Sequence, residues 1–462
     1  MFANRELHIH FVGVGGIGMS GIAEVLLNLG YKVSGSDLKS GDTTRRLAEI
    51  GGKIYEGHDR ENIGGADVVV VSSAVSSENV EVQEAVFHGI PVIPRAEMLA
   101  ELMRLKFGIA VAGTHGKTST TSLLATVMSE AKLDPTIVIG GKLNSLGSNA
   151  WLGKSDYMVV EADESDGSFL KLSPVLAVVT NIDPEHLNYY GSMDKLFDAF
   201  VEFVNKIPFY GAALLCMDHP RVQSLIPLMN KRYQTFGLSA QSDYRALEPK
   251  FKGLESRFTV TRRGERLGEI TLKMPGAHNV LNALAVVAVA DELGVDFSVV
   301  QKAMSGFQGV QRRFTIKGER REVIVVDDYG HHPEEITTTM AGARQSYPHH
   351  RIIAVFQPHR YSRVQQLWKD FARAFNSADV VCVTDIYEAG EAPLEGITGE
   401  KMADAIRRRG HKHVVFTGNN RSTAEFLSSL VRARDLVVTL GAGDVWRVGA
   451  SLLQELDEEG ES

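Results

Sequence analysis

The chain has 462 residues, a length at which two to four domains are expected. Its apolar fraction of 44% and charged fraction of 23% are typical of a soluble globular protein, and its net charge of −8 argues against a broad nucleic-acid surface. No signal-peptide pattern or bilayer-length apolar run is present, and Cys216 and Cys382 lie in apolar runs without metal-ligand spacing. We therefore expect a cytoplasmic protein with reduced thiols and with no nucleic-acid or membrane partner.

The first segment alternates short apolar runs with stretches of helix length. This alternation predicts a parallel sheet, and the segment ends near Arg104–Phe107. The predicted elements are strands at Ile9–Gly13, Lys32–Asp37, Asp67–Ser73 and Ile90–Ile93, with helices at Ser20–Leu29 and Thr43–Ile50.

A glycine-rich turn, Gly13-Val-Gly-Gly-Ile-Gly18, follows the first strand and opens the first helix. Asp37 ends the next strand, 22 residues after Gly15 (37 − 15 = 22), close to the spacing of a ribose-binding acid in dinucleotide folds. The pattern indicates a nucleotide diphosphate but does not distinguish NAD from another one, and glycines needed only for packing would look the same. The candidate ligand-binding residues are Gly15, Gly16, Ile17, Gly18 and Asp37.

The second segment opens with the most informative stretch of the chain. An apolar run from Ile109 leads into a glycine turn, and a Ser/Thr-rich helix follows. Glycines let backbone N–H groups approach phosphate oxygens, and the helix N-terminus adds partial positive charge. Lys117 is placed to reach the β- and γ-phosphates of a nucleoside triphosphate, and the Thr118 hydroxyl to bind Mg²⁺. Val111 stands where the general pattern has its first glycine, so the loop is a compressed variant. Its residues are Gly113, Thr114, His115, Gly116, Lys117, Thr118 and Ser119.

Two polar runs end the strands that follow this loop. Glu161 ends a strand predicted at Tyr157–Glu161 and begins Glu-Ala-Asp-Glu-Ser-Asp166. A carboxylate there is suited to hold Mg²⁺ beside the phosphates, although a solvated acidic turn would also explain the run. The strand Leu176–Thr180 leads into Asn-Ile-Asp-Pro-Glu-His186. His186 is either a second metal ligand or a residue that starts a helix near the phosphates.

The remainder of this segment contains a strand at Ala212–Cys216, a hairpin over Phe258–Lys273 and a helix over His278–Ala290. The helix opens with His-Asn-Val-Leu-Asn282. Asparagine amides offer a donor and an acceptor together, so Asn279 and Asn282 either read an adenine edge or cap the helix.

The third segment begins after Arg312-Arg313 and again alternates strands and helices, which predicts a second doubly wound domain. Its first strand ends in the polar run Asp-Asp-Tyr-Gly-His-His-Pro333, and its second ends in Gln-Pro-His-Arg-Tyr-Ser-Arg363. We therefore expect a site at the carboxyl edge of the sheet. The arginines are suited to bind a carboxylate or a phosphate. An acidic tail at 455–462 is predicted to fray. The predicted strands are Glu322–Asp327, Arg351–Phe356, Asp379–Thr384, Val414–Phe416 and Asp435–Leu440.

Together these motifs resemble those of the Mur ligase family, the ATP-dependent amide-forming enzymes of peptidoglycan synthesis. The resemblance covers the whole chain. It rests on Gly-Thr-His-Gly-Lys-Thr118, Glu-Ala-Asp-Glu-Ser-Asp166, Asn-Ile-Asp-Pro-Glu-His186 and His-Asn-x-x-Asn282. Within the family, Gly-Val-Gly-Gly-Ile-Gly-Met-Ser-Gly21 and the two polar runs of the third segment resemble the branch that adds the first amino acid of the peptide stem.

The resemblance implies a three-domain α/β fold. An N-terminal Rossmann-like domain (1–106) would bind the UDP-sugar, a central P-loop-type ATPase domain (107–313) would bind ATP, and a C-terminal Rossmann-like domain (314–462) would bind the amino acid. The implied cofactors are ATP and Mg²⁺, and the implied substrates are UDP-N-acetylmuramate and L-alanine. We expect a monomer or weak dimer.

The resemblance also implies roles for individual residues. UDP, rather than NAD, would lie at the loop Gly15–Gly18 with Asp37. Lys117, His186 and Arg313 are the implied catalytic residues, with Lys117 neutralising the transferred phosphoryl group and Arg313 near the triphosphate. The other implied contacts are Thr118 and Glu161 on one Mg²⁺, His186 on a second, Asn282 on adenine, and His331, Arg360 and Arg363 on the L-alanine or muramoyl carboxylate.

One departure from the family pattern concerns the second metal. Several relatives carry a carbamylated lysine downstream of the histidine that matches His186, but Asp198-Ala-Phe-Val201 occupies that region here and Lys195 is out of line, so none is predicted. Three alternative functions remain open. They are a recycling ligase that joins a preformed tripeptide to the same sugar nucleotide, an NAD-dependent dehydrogenase, which leaves the phosphate loop unexplained, and a non-catalytic nucleotide switch.

Overall fold

The computed structural model describes residues 6–72, 74–139 and 150–458. They form two compact units. The first contains the described residues up to Leu247 together with Thr259–Glu269 and Leu281–Phe307, and the second contains Glu248–Phe258, Ile270–Val280 and the described residues from Gln308 onward. No helix in the described ranges is both long enough and apolar enough to cross a bilayer.

The first sheet has five parallel strands in the order β3-β2-β1-β4-β5. Its central strands are short apolar runs with both faces covered, which is why they lack an alternating pattern. The strand order reverses between β1 and β4, so a ligand crevice is expected at the carboxyl end of β1. The elements are β1 (His8–Val12), α1 (Ile17–Asn28), β2 (Lys32–Asp37), α2 (Asp42–Glu49), β3 (Lys53–Glu56), β4 (Val68–Val71), α3 (Val80–Phe87), β5 (Val92–Pro94) and α4 (Arg95–Met103).

The second sheet begins with β6 (Phe107–Ala112), which leads into helix α5 (Lys117–Glu130). Buried apolar side chains from β6, β9 and β10, among them Ile109, Val159 and Val178, pack in its core. The elements after α5 are β7 (Thr136–Val138), β8 (Ala150–Trp151), β9 (Tyr157–Glu161), β10 (Leu176–Val179), α6 (Leu187–Tyr190), α7 (Met193–Asn205), β11 (Ala212–Cys216), α8 (Pro220–Leu225), β12 (Tyr233–Gly237), β13 (Tyr244–Lys252), β14 (Glu255–Arg262), β15 (Glu265–Leu272), α9 (Ala277–Glu292) and α10 (Phe297–Gly306).

The strand order of this sheet is β15-β14-β13-β12-β11-β10-β6-β9-β7-β8. Strand β6 lies between β10 and β9 and is parallel to both. In this register Ala112 pairs with Val179, and Val111 pairs with Glu161. The polar runs that follow β9 and β10 therefore leave the sheet at the same edge as the loop after β6.

The third sheet has the order β16-β17-β21-β18-β19-β20, with only the β16–β17 pair antiparallel among its described pairings. Its elements are β16 (Thr315–Arg320), β17 (Val323–Asp328), α11 (Pro333–Ser346), β18 (Arg351–Phe356), α12 (Tyr361–Gln366), α13 (Trp368–Phe371), β19 (Val380–Thr384), α14 (Gly399–Arg408), β20 (Val414–Gly418), α15 (Asn420–Leu430), β21 (Asp435–Leu440) and α16 (Trp446–Glu458). Three mostly parallel sheets confirm the predicted α/β class.

The structure corrects several local predictions. Strand β3 and helices α3 and α4 had not been predicted. Helix α3 contains valines, which are more typical of strands, and Asn79 caps its first turn. The predicted frayed tail is wrong as far as Glu458, because α16 extends to that residue and buries Leu456. Residue 73, the last of one predicted strand, and residues 459–462 lie outside the described residues. Both cysteines are free and buried, as expected.

Candidate active site

The phosphate loop, Gly113–Ser119, joins β6 to α5 through two glycines in left-handed conformations. Gly113 has φ +129° and Gly116 has φ +83°, a region that side chains other than glycine rarely adopt. A Cβ at Gly113 would overlap Thr180 Oγ1, and one at Gly116 would lie 2.7 Å from Asn282 Oδ1. Both glycines are therefore required by local conformation and by close neighbours.

The loop is held in place by three residues of the turn that follows β10. The Thr180 hydroxyl and the Asn181 amide both donate to the His115 carbonyl, at 2.6 and 2.9 Å, and the His115 N–H donates to Asn181 Oδ1 at 2.7 Å. The Asp183 N–H donates to Thr114 Oγ1 at 2.8 Å. The turn after β10 thus fixes the conformation of the phosphate loop through hydrogen bonds. The sequence did not assign this role to these residues.

Lys117 lies in the first turn of α5, and its ammonium group points into the loop. Its Nζ donates to the carbonyl of Gly113 at 2.6 Å and lies 2.8 Å from Glu164 Oε2. Burial disfavours the charged form of Lys117, but Glu164, Asp163 and Glu161 outweigh burial and raise its pKa. Burial also dominates at Glu164, whose pKa is raised even though Lys117 lies beside it. Lys117 is therefore a cation in a site that is mostly shielded from water.

Thr118 and Glu161 meet at the beginning of α5. The Thr118 hydroxyl donates to Glu161 Oε1 at 2.9 Å. A hydroxyl and a carboxylate oxygen side by side are hard oxygen ligands of the kind that Mg²⁺ prefers. The donor set fits one magnesium ion next to the phosphate loop.

A second group of ligand atoms comes from three residues, Glu164, Glu185 and His186, whose ligand atoms lie within 4.8 Å of one another. His186 Nε2 is 3.8 Å from Glu164 Oε1 and 3.7 Å from Glu185 Oε2. His186 also precedes the short helix α6, with φ +56°. Both readings of His186 drawn from the sequence are therefore compatible with its position, and two carboxylates accompany it.

The remaining predicted ATP-binding residues lie around the same loop. Ser119 is buried in the first turn of α5, and Asn282 on α9 lies close to Gly116. Asn279 lies one turn earlier and donates its amide to the Pro275 carbonyl at 2.7 Å.

The glycine loop, Gly13–Gly18, joins β1 to α1. The Gly15 N–H donates to Asp37 Oδ2 at 2.8 Å, so Asp37 already supports the loop. A Cβ at Gly18 would lie 2.6 Å from Arg95 Nη1. The structure brings Gly15, Gly16, Gly18 and Asp37 together at the carboxyl end of β1, with an arginine beside them that the sequence had not indicated.

In the second unit, the predicted residues follow β17 and β18. The Tyr329 ring lies beneath the guanidinium groups of Arg312 and Arg313, at 5.1 and 5.6 Å from the ring centroid. Arg312 is held by Asp327 at 2.9 Å, whereas Arg313 Nη1 lies 3.5 Å from Glu335 Oε1. Arg313 is therefore supported by an aromatic face and a carboxylate.

His331 lies near a histidine that the sequence did not single out. The rings of His331 and His359 are 5.9 Å apart, and His359 stacks on Tyr387 at 5.4 Å. Burial, His331, Arg363 and Arg360 all lower the pKa of His359, to about 4. Burial is also the main cause of a lowered pKa at His331. Neutral imidazoles and two arginines thus share one positively charged corner of this sheet edge.

Comparison with known families gives three successive matches along the chain. The description "Mur ligase family, catalytic domain" matches residues 8–107, "Mur ligase middle domain" matches 111–290, and "Mur ligase, glutamate ligase domain" matches 312–443. Each sheet of the structure corresponds to one of these regions.

Individual proteins extend this similarity. UDP-N-acetylmuramate–L-alanine ligase of Geobacter sp. (strain M21) is 57% identical over 454 residues, which cover 98% of each chain. The crystal structure of UDP-N-acetylmuramate-alanine ligase MurC from Thermotoga maritima matches with a TM-score of 0.79 at 30% identity, over 98% of this chain and 100% of that one. A murein peptide ligase from Psychrobacter arcticus 273-4 shares the fold, with a TM-score of 0.68 at 24% identity over 97% of this chain and 98% of that one.

Proposed function

We propose that this chain, which belongs to the Mur ligase family, joins L-alanine to the lactyl carboxylate of UDP-N-acetylmuramate and converts ATP to ADP and phosphate. It is an ATP-dependent ligase that forms an amide bond in peptidoglycan precursor synthesis. The structural observation that carries this function is the clustering of Lys117 and Thr118, at the beginning of α5, with Glu161, at the end of β9. The relative that is 57% identical over 98% of both chains supports the choice of L-alanine.

The reaction has to bring two anions together, a carboxylate and a triphosphate. In the first step a carboxylate oxygen attacks the γ-phosphorus and the bond from that phosphorus to the β–γ bridging oxygen breaks. The products of this step are ADP and an acyl phosphate. In the second step the unprotonated amine of L-alanine attacks the acyl carbon, and the tetrahedral intermediate expels phosphate and loses a proton. Positive charge near the transferring group lowers the barrier of the first step.

Lys117 supplies that charge in this proposal. Its ammonium group is buried inside the loop, where it donates to the carbonyls of Gly113 and Thr114. The N–H groups at the beginning of α5 would bind phosphate oxygens, and Asn282, next to Gly116, would contact adenine. Arg313, supported by Tyr329 and Glu335, would bind the triphosphate.

The oxygens of Thr118 and Glu161 would hold one Mg²⁺, and His186, with Glu164 and Glu185 nearby, a second. When bound, Mg²⁺ neutralises phosphate charge and aligns the phosphates. The protein residues orient these ligands: Lys117 fixes Glu164, and Glu161 accepts a hydrogen bond from Thr118.

The other two sites complete the proposal. The glycine loop with Asp37 would bind the UDP part of the sugar nucleotide, and His331, Arg360 and Arg363 would bind the L-alanine or muramoyl carboxylate. The corresponding domain boundaries are 1–106, 107–313 and 314–462. The low pKa of His359 keeps that imidazole neutral beside these arginines at physiological pH.

The experiment that tests the substrate assignment is ADP release with UDP-N-acetylmuramate and either L-alanine or the preformed tripeptide of the recycling reaction. We expect turnover with L-alanine and little with the tripeptide. Glycine and L-serine should react slowly, because a pocket discriminates single small groups only by about 10- to 200-fold. Preferential turnover of the tripeptide would assign the chain to the recycling branch instead.

A further inference from the structure

A cavity lies at the opposite edge of the third sheet from His331 and Arg363. It has a volume of about 1070 Å³ and is lined by the loops that lead into β18, β19, β20 and β21. The residues assigned to the substrate follow the carboxyl end of β18, whereas Arg351, the first residue of that strand, lines this cavity. At about 3.3 Å per residue, the two edges are roughly 16 Å apart. We call this space the basic cavity.

The lining of the basic cavity is rich in cationic side chains. Arg344, Arg351, Arg409, Lys412 and Arg432 line it together with four histidines, and Asp379 is the one acidic residue among the described residues of its lining. Two of these cations, Arg409 and Lys412, and two of the histidines come from one short run just after α14, Arg-Gly-His-Lys-His413. This concentration is unusual in a chain whose net charge is −8.

Two of the five cations are neutralised within the fold. Arg344 Nη2 lies 2.6 Å from Asp379 Oδ2, and Arg351 binds Asp435 through two nitrogens, at 2.9 and 2.6 Å. These ion pairs fix the ends of β18 and β19.

The other three cations, Arg409, Lys412 and Arg432, make no side-chain hydrogen bond or ion pair to any described residue. His350, which also lines the cavity, has a buried Nδ1 with no hydrogen-bond partner among the same residues. Three cations from two loops, the one before β20 and the one before β21, therefore line one concave space without a matching carboxylate.

Like charges around a concave surface focus a positive potential, and they attract an anion that can meet several of them at once. Arginine and lysine donate charge-assisted hydrogen bonds to phosphate oxygens, and the planar arginine group suits phosphate in particular. The cavity also has an apolar wall, formed by Phe426 and Leu430. Its size matches that of small-molecule sites rather than an extended strand of nucleic acid.

We propose that the basic cavity binds a small anion that carries two or more phosphate groups, with Arg409, Lys412 and Arg432 as its principal contacts. None of the residues that line the basic cavity belongs to the proposed ATP site. The proposal does not depend on the identity of the ligase reaction.

The test is calorimetric titration of the full-length protein with inorganic tripolyphosphate. The key variant is the triple substitution R409A/K412A/R432A, and the matched control is R421A, which removes a cation of the same unit that is 89% exposed and paired with Glu425. Each protein is also measured with K117A added, which removes the main cation of the phosphate loop. We expect a saturable site that survives K117A and R421A and weakens about tenfold or more in the triple variant.

Two results would overturn the proposal. The first is tripolyphosphate binding that is unchanged in the triple variant or disappears in K117A alone. The second is a short single-stranded oligonucleotide that binds through the same three cations more than tenfold more tightly than tripolyphosphate, because the surface would then be a nucleic-acid face.

Discussion

The Nζ of Lys117 lies 2.8 Å from Oε2 of Glu164, and the Glu164 side chain is almost completely buried. This pair places a fixed positive charge inside the phosphate loop. The sequence indicated Glu161, at the end of β9, as the carboxylate beside the loop. The structure shows that Lys117 pairs instead with Glu164, three residues further along the chain.

Lys117→Ala should reduce ligation by about a thousandfold, because the variant lacks the charge that stabilises the transferring phosphoryl group. Binding of the UDP-sugar, measured by calorimetry, should change little, because the glycine loop lies on a different sheet. Lys195→Ala, at an exposed position, serves as the control. Near-normal turnover in Lys117→Ala would show that the loop is not the ATP site.

Glu161→Gln should raise the Mg²⁺ concentration needed for half-maximal activity by about tenfold or more, since it replaces a charged ligand by a neutral one. Asp166→Asn, in the same acidic run but exposed, is the control. Activity is followed as ADP release while Mg²⁺ is varied. An unchanged Mg²⁺ requirement in Glu161→Gln would remove Glu161 from the metal site.

Gly113→Ala should disrupt the phosphate loop, because its Cβ would overlap Thr180 Oγ1 and lie 3.0 Å from the Asn181 nitrogen. Gly51→Ala is the matched control: Gly51 also has a positive φ, +102°, but nothing lies within 4 Å of its Cβ. The control should lose about 1–2 kcal/mol of unfolding free energy from backbone strain alone. Gly113→Ala should lose more than this and also lose ATP binding. Equal losses in the two variants would mean that the contact with the β10 turn is unimportant.

The first unit should lose stability in acid through Glu81. Burial disfavours the charge of this carboxylate, but His10, whose Nε2 lies 3.7 Å from Oε2, and hydrogen bonds from Ser36 and Asn62 outweigh burial and lower its pKa from 4.5 to about 2. Because the folded pKa is the lower one, the unfolded chain binds more protons between these values. The stabilisation is therefore complete above pH 4.5 and is lost as the pH falls towards 2.

Urea unfolding at pH 7 and pH 3.5 tests this. Between pH 7 and pH 3.5, Glu81→Gln should lose about 1 kcal/mol less unfolding free energy than the unsubstituted protein. Glu49→Gln, at an exposed position, should behave like the unsubstituted protein. An identical pH dependence in Glu81→Gln would contradict the assignment.

The sequence was sufficient to predict the α/β class and the phosphate loop, because these depend on local patterns, but it missed individual strands such as β3. The apolar run before Gly113 and the Ser/Thr-rich helix after it specify a strand, a turn and a helix N-terminus in order. The Thr180–Asn181 turn reaches the loop only because β10 pairs with β6, a long-range pairing that no local pattern encodes.

Side-chain direction was the main information that the sequence lacked. Four acids lie between 161 and 166, and the sequence does not show that Glu161 faces Thr118 while Glu164 faces Lys117. The same is true of His359, which lies next to the predicted Arg360 but is distinguished by its stacking on Tyr387. Such side-chain contacts depend on the path that the backbone takes after each strand ends, and the sequence alone does not show that path.

The most direct test of the central claim is isotope transfer during turnover. UDP-N-acetylmuramate is labelled with oxygen-18 in its lactyl carboxylate and incubated with ATP, Mg²⁺, L-alanine and the protein, and the released phosphate is examined by mass spectrometry or ³¹P NMR. We predict that each phosphate carries one carboxylate oxygen, because an acyl phosphate forms and is then attacked by the amine at carbon. Phosphate that contains no oxygen-18, released together with the amide product, would contradict activation of the carboxylate at the phosphate loop.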